Sequence, residues 1–450
     1  MKTAVKSRGP LILAAIVAAA FLLRLLPALP GLLAEDRARF TRPDTATYTV
    51  PASTLAFLGR YSGTGRAPGF PAFLAAFYRV QGNNSPFRAI AALLIIGAAT
   101  AIPVWLAAKL RNPEGGNAEA AVAASLFALN LTAIANAPLL LSDTLFAFVA
   151  AWQPVFFLLA YRKNKLFYLI PAAALAALGA LIRPVNIVWF LPFAVAVLLM
   201  PGKFTWQSKA LWCALSLAVF WAIVTPWMLR NAFAGAGFTI DTNTGAMYHQ
   251  NGAMILAKAR GGDFKTWKAL LIADETREFA DTARYRDEKS RESYRIRGFL
   301  GIIRRYPGIW LAGHFSPAIL LPDAPALLEL LGVTVHGRGT MGVIASRGII
   351  AGVRHYFGGA WGWLGLILPW LIPVLAVYLG AAATLIRSVW PWSGETLYTL
   401  VLFLLFSEYY LFLPGPITAP RYQLPALPFL AVMAAPALVW CWRKLFTMAK

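Results

Sequence analysis

LFYLIPAAALAALGALIRPVNIVWFLPFAVAVLLM, residues 166–200, carries one charged side chain, Arg183, and two apolar runs that meet at Arg183-Pro184. As α-helices, runs of about 17 residues are just long enough to cross a hydrocarbon core of about 30 Å. Comparable stretches recur near residues 10–30, 86–109, 119–137, 141–161, 209–229, 361–387, 396–413 and 420–442. The whole chain is 59% hydrophobic and 13% charged, against roughly 45–50% and about 25% in soluble domains. A soluble fold of 450 residues needs far more charge to cover its surface. The sequence therefore predicts an all-α polytopic membrane protein with about ten transmembrane helices.

The net charge of +22 would fit a nucleic-acid partner, but its placement argues against one. Lys2, Lys6 and Arg8 precede the first run. Lys109 and Arg111, then Arg162, Lys163 and Lys165, then Lys203 and Lys209 fall between runs, and Arg443, Lys444 and Lys450 follow the last. Basic clusters after alternate spans are the positive-inside pattern. The basic start resembles a signal peptide, yet the run from Pro10 to Leu33 is long and lacks a clear small-x-small cleavage site, so an uncleaved first span is expected. Cys213 and Cys441 sit in apolar runs and provide no disulfide framework, and His249, His314, His336 and His355 are too scattered for a zinc site.

With the N-terminus inside, ten spans return the C-terminus inside. Residues 31–85, the segment 230–360 and the loop Pro414–Pro420 then lie on the outer face. This divides the chain into a transmembrane module (1–230) that carries the first external loop, an external amphipathic or interfacial segment (231–360) and C-terminal transmembrane helices (361–450). Between Lys265 and Arg305, charges of both signs mix with apolar residues at helical spacing: Trp267, Leu270 and Leu271; Phe279 and Ala283; Phe299, Ile302 and Ile303. The pieces 309–321 and 324–335 are too short and proline-broken to span.

The candidate chemistry lies at outer span ends. In Arg42-Pro43-Asp44-Thr45-Ala46-Thr47-Tyr48, Asp44 opens a helix at the mouth of the bundle. There it can take a proton from a hydroxyl or simply N-cap the helix. Arg66, in Arg-Ala-Pro-Gly-Phe-Pro, can grip a phosphate or snorkel as an interfacial anchor. Asp143, in Leu-Ser-Asp-Thr-Leu, is either a helix cap or a second carboxylate lining a cavity. Arg183, Arg230 and Arg421 also fall at outer ends, and Arg24 lies inside the first span toward the same face. Several arginines converging on one leaflet suit an anionic lipid headgroup.

At these residues the chain resembles the GT-C-type polytopic glycosyltransferases, in the branch of protein O-mannosyltransferases and the lipid A aminoarabinose transferase. The carriers are Pro43-Asp44 with Tyr48, Gly59-Arg60-Tyr61, Arg66 to Pro71, Ser142 to Leu145, Leu181 to Pro184, Thr225 to Asn231, and Arg421-Tyr422 with Pro425. The resemblance implies a sugar transferred from a polyprenyl-phosphate donor to a hydroxyl of a glycolipid, polysaccharide or protein. It implies Asp44 as the catalytic base, Asp143 and Tyr48 in the acceptor or donor cavity, and Arg66, Arg183, Arg230, Arg421 and Tyr422 on the lipid phosphate. Several relatives carry an acidic pair where this chain has Asp44-Thr45, which speaks against a metal held by adjacent carboxylates. A divalent cation is compatible with the residues but not indicated. The partners implied are the lipid donor, the acceptor and the bilayer, with no nucleic acid. Alanine-rich composition and compact loops point to a bacterial inner membrane, both termini cytoplasmic and the site on the far face. A transporter or lipid-linked-sugar flippase is the rival reading. Such folds tend to show repeat symmetry, and the sequence shows none.

Overall fold

A computed structural model describes residues 8–315, 317–335, 340–357, 361–388, 394–417 and 419–448. Lys2, Lys6, His336, Thr418 and Lys450 lie outside the described residues. No strand occurs among the described residues, and the helices follow the apolar runs. The first part of the chain forms α1 (Gly9–Leu33), α2 (Ala46–Leu58), α3 (Gly69–Gln81), α4 (Phe87–Arg111), α5 (Gly116–Ala128), α6 (Leu131–Asn136), α7 (Asp143–Lys163), α8 (Leu169–Ile182), α9 (Phe190–Leu198) and α10 (Trp206–Phe233). A π-helix (Ala246–Gly252) and the short helices α11 (Ala253–Arg260), α12 (Phe264–Glu278), α13 (Glu288–Arg305), α14 (Pro307–Gly313), α15 (Ala324–Leu330), α16 (Thr340–Arg347) and α17 (Ile349–Phe357) follow. Then come α18 (Leu364–Ser388), α19 (Gly394–Phe412) and α20 (Leu427–Met448).

Among the described residues, α1, α4, α7, α10 and α18 are long and apolar enough to cross a bilayer. Large apolar side chains on their outer faces, such as Leu22, Leu26, Leu211, Ile372, Leu379 and Ile386, are exposed. Such faces have no partner in water but match lipid. Some helix pairs meet through small residues, as expected where lipid tails are as apolar as leucine. Ala172, Ala173, Ala176, Ala177 and Ala180 are fully buried where α8 packs against α7 and α10. A Cβ on Gly380 of α18 would lie 2.9 Å from the Ala434 Cβ of α20. The C-terminal helices share one hydrophobic core with α4 to α10, Phe403, Phe406 and Phe429 packing with Phe157 and Trp189.

Four expectations need correction. The run 119–137 is not one helix: α5 stops at Ala128, and the Asn130 side chain accepts from the Ala133 amide to start α6 afresh. The last helix begins at Leu427, so Arg421 and Tyr422 occupy a separate 3-10 turn, Pro420–Gln423. Phe279 and Ala283 fall in the link between α12 and α13, not on a helix. Arg24 does not join the other arginines. It is fully buried, and its Nη1 donates to the carbonyls of Ala20 (2.9 Å) and Ala128 (3.2 Å). A cation on the last carbonyl of α5 meets the negative end of that helix, which offsets part of the cost of a charge inside a span.

The segment after α10 caps one end of the bundle. Thr242 bonds Thr64 of the first loop through both backbone (3.0 Å) and side chain (3.2 Å). Asn251 accepts from the Ile417 amide at 3.1 Å, and His314 donates to the Phe412 carbonyl at 2.6 Å. Phe299, Ile302 and Ile303 of α13 bury against Tyr248 and Ile255, so the amphipathic pattern is spent inside this cap. At the opposite end of the bundle, Arg162 donates to the carbonyls of Leu110 and Arg111.

Candidate active site

The loop before α2 is fixed by Thr45, which is 3% exposed. Its hydroxyl accepts from the Arg42 amide (2.9 Å) and donates to the Leu140 carbonyl (3.3 Å). The Leu140 amide bonds back to the Phe40 carbonyl at 2.9 Å. A carboxylate at position 45 would lose the donated bond and set its charge against that buried carbonyl oxygen. With Thr45 doing the local work, the Asp44 carboxylate caps no helix amide, which removes the capping alternative. It turns instead to two guanidiniums: Oδ2 accepts from Arg421 at 2.9 Å and Oδ1 from Arg66 at 3.4 Å. Its side chain is 43% exposed, open enough to meet a large substrate.

Arg66 is positioned from three sides. Its Nε donates to the Thr47 hydroxyl at 2.8 Å, its guanidinium lies 4.9 Å from the Tyr48 ring centre, and its Nη2 reaches Asp44. The glycine of Arg-Ala-Pro-Gly explains the neighbouring geometry. A Cβ on Gly69 would sit 2.8 Å from the Leu181 carbonyl oxygen, so only glycine lets α3 start against the end of α8. That contact sets the Arg66 loop next to Arg183.

Asp143 begins α7, and its side chain, 5% exposed, pairs with Arg183. Taking a carboxylate out of water is costly unless a cation and hydrogen bonds meet it, and Arg183 does so. Tyr48 closes the circuit through its hydroxyl, 3.4 Å from Ser142 Oγ. On the far side the Arg183 guanidinium lies over Tyr422 at 5.7 Å, and Arg421 returns to Asp44. Asp44, Arg66, Tyr48, Asp143, Arg183, Tyr422 and Arg421 thus form one closed ring of contacts. Three guanidiniums face two carboxylates, and the surplus positive charge suits one phosphate.

The structure does not bring Arg230 into this ring. Its forked guanidinium donates to the carbonyls of Gly63 (2.7 Å) and Tyr61 (2.8 Å) and stacks 4.9 Å from Trp227, fastening the loop that carries Arg66. Nearby, burial pushes the Asp241 carboxyl up to about 7, opposed by the Arg66 charge and the Asn243 amide and helped by Glu292. No trio of His, Cys, Asp or Glu gathers for a metal ion among the described residues.

Beside the ring lies a cavity of about 200 Å³, lined by Arg183, Tyr422, Phe146, Tyr410, Gln250 and Asn251 among others. Sequence reasoning found only the first two. Phe146 and Tyr410 read as ordinary core aromatics, and a π-helix has no composition signature, although such helices concentrate at functional sites. The π-helix is held from behind by a buried network. His249 bonds Glu275 at 2.8 Å, and Arg295 bonds Glu275 (3.0 Å), Glu288 (3.1 Å) and Glu292 (2.6 Å), while Thr244 also donates to Glu292. Burial alone would raise the Glu275 carboxyl, but the hydrogen bonds from His249 and Arg295 outweigh it and hold it at about 2.

Comparison with known proteins agrees with this architecture. The family model for dolichyl-phosphate-mannose-protein mannosyltransferase matches residues 65–229, the stretch that supplies Arg66, Asp143 and Arg183. No curated protein matches the chain in sequence. Among solved structures, the archaeal oligosaccharyltransferase AglB from Archaeoglobus fulgidus, in complex with an inhibitory peptide and a dolichol-phosphate, aligns over 99% of this chain and 51% of its own (TM-score 0.55, 14% identity). Its apo form aligns over 98% and 51% (TM-score 0.52, 14% identity). ArnT from Cupriavidus metallidurans, bound to undecaprenyl phosphate, aligns over 95% and 77% with 17% identity, at a TM-score of only 0.42. The oligosaccharyltransferase alignments show that the chain has the GT-C fold, and that it spans about half the length of those enzymes.

Proposed function

We propose that the chain is a membrane glycosyltransferase that moves a sugar from a polyprenyl-phosphate donor to a hydroxyl on the outer face of the cytoplasmic membrane. The observation that carries this reading is Asp44, a partly exposed carboxylate suspended between Arg66 and Arg421. The acceptor hydroxyl attacks the anomeric carbon, a carbon–oxygen bond forms there, and the bond to the phosphate oxygen breaks with its electron pair. The hydroxyl proton passes to Asp44. A phosphate leaves readily without a strong general acid, so the site must supply a base and positive charge. An arriving lipid phosphate competes with Asp44 for Arg421 and Arg66, and the carboxylate is released to accept the proton as the cations engage the leaving group. Arg183, kept charged and oriented by Asp143, stands behind as the third cation. One direct displacement inverts the anomeric centre.

Support for the donor class comes from the dolichyl-phosphate-mannose family match and from the dolichol-phosphate held by the AglB structure. Both termini then lie in the cytoplasm, with residues 31–85 and 231–360 outside and a glycolipid, polysaccharide or protein as acceptor. Mass spectrometry of envelope glycans and glycoproteins from a deletion strain tests the proposal. One sugar missing from one acceptor, restored by the wild-type chain, is the expected result. An unchanged glycan profile, with altered movement of an unmodified lipid across the bilayer, would overturn it in favour of a flippase.

A further inference from the structure

The cavity beside the ring has features the proposed transfer does not yet use. Its walls combine aromatic faces, Phe146, Tyr410 and Tyr422, and aliphatic groups such as Met247 and Ile417 with amide groups from the π-helix. The Tyr410 hydroxyl is committed to Asn186 at 3.1 Å, so that ring presents a fixed face. Asn251 uses its carbonyl oxygen on the Ile417 amide, which leaves its NH2 donors for the cavity. Gln250 lines the same space, and no described residue hydrogen-bonds its side-chain amide. An amide that both donates and accepts, in a cavity with aromatic faces, matches a hydroxylated ring better than a hydrocarbon chain. The contrast is the cavity at the opposite end of the bundle, walled by Leu106, Leu110, Trp152, Val155, Phe156 and Leu159 with Lys109 as its one charged member, whose exposed walls are almost wholly apolar.

Size points the same way. About 200 Å³ falls below the roughly 300–1,000 Å³ of pockets for drug-sized ligands and suits a single monosaccharide. Because Arg183 forms part of the wall, a ring seated here would be attached to the phosphate that the arginines hold. We propose that this cavity seats the sugar of the lipid-linked donor and that Gln250, with Asn251 beside it, is the specificity-determining group that reads its hydroxyls. The inference rests on the donor class proposed above. The network of His249, Glu275 and Arg295 holds the π-helix from the side away from the cavity, so Gln250 is presented on a braced element. Such bracing is what discrimination between epimers requires, since a hydroxyl inverted at one carbon must meet a donor or acceptor that cannot follow it.

The test uses the full chain in lipid nanodiscs, with undecaprenyl phosphate and its glucosyl, galactosyl, mannosyl and arabinosyl esters as probes. Wild type is expected to bind one ester more tightly than the other three and than the bare lipid phosphate. Gln250→Leu, close in size but unable to hydrogen-bond, is expected to lose about tenfold for that ester while binding bare undecaprenyl phosphate as wild type does. Arg183→Ala weakens every probe. Unchanged discrimination in Gln250→Leu overturns the inference, as does equal loss for the ester and the bare lipid, which would mark a purely structural role. Failure of the bare lipid phosphate to bind wild type overturns the donor class itself, and this inference with it.

Discussion

Replacing Asp143 and Arg183 singly and together separates the ion pair's structural role from its place in the site. The Asp143 side chain is 5% exposed and that of Arg183 23%, so removing either leaves the other charge in a crevice with little water. Breaking a buried pair in this way costs about 3–5 kcal/mol, whereas exchanging both partners for apolar residues of similar volume is often neutral or stabilising. With an unfolding entropy of about 2.1 cal/mol/K per residue over 450 residues, each kcal/mol moves the melting midpoint by about 1 °C. Asp143→Leu and Arg183→Met should each melt about 3–5 °C below wild type, and the double variant should recover most of the loss. Tryptophan fluorescence of the purified chain in one detergent at pH 7 follows the transition. The recovered double variant should still bind undecaprenyl phosphate poorly, because a site cation is gone. Losses that simply add, leaving the double variant about 6–10 °C down, would refute the reasoning.

Arg230→Ala should free the loop 59–66 by removing two charge-assisted bonds to its carbonyls, and trypsin should cut there about tenfold faster or more. Arg230→Lys should restore only part of the protection, because a point charge cannot make the fork, and wild-type cleavage rates in both variants would contradict the anchoring role. Asp241 gives a pH signature. Its carboxyl is raised from 3.8 to about 7 in the folded chain, so the unfolded chain gives up this proton first and stability falls as pH climbs between those values. Asp241→Asn should therefore leave the melting midpoint unchanged below pH 4 and raise it above pH 7, by no more than about 4 kcal/mol in stability; equal midpoints at pH 8 would dispose of the assignment.

The bundle was legible because a bilayer leaves so few options. Runs like those meeting at Arg183-Pro184 can only be apolar helices, and Leu166–Ile182 and Pro184–Leu198 are helical on either side of that turn. Breaks inside runs were harder, since Asn130 stops α5 through a side-chain bond that only the folded chain displays. Asp44 stood out in the sequence, but its partner Arg421 lies 377 positions away, and no local pattern separates an ion pair of that span from a helix cap. Arg24 and Arg230 looked like members of the same cationic set. What distinguishes them is carbonyls presented by a neighbouring helix end and a neighbouring loop, which are properties of packing. The cavity was the least visible part, because Gln250 and Asn251 become a wall only once folding sets the π-helix around one cavity with Tyr410 and Tyr422.

The most direct test of transfer is the Asp44→Asn chain, expressed in the deletion strain, with the dependent glycan measured by mass spectrometry beside undecaprenyl phosphate binding in nanodiscs. Asparagine keeps the shape and loses the base. Transfer should fall by about 10²–10⁴-fold while the lipid phosphate still binds, since Arg66 and Arg421 are released to hold it. Full glycan transfer by Asp44→Asn would contradict the account.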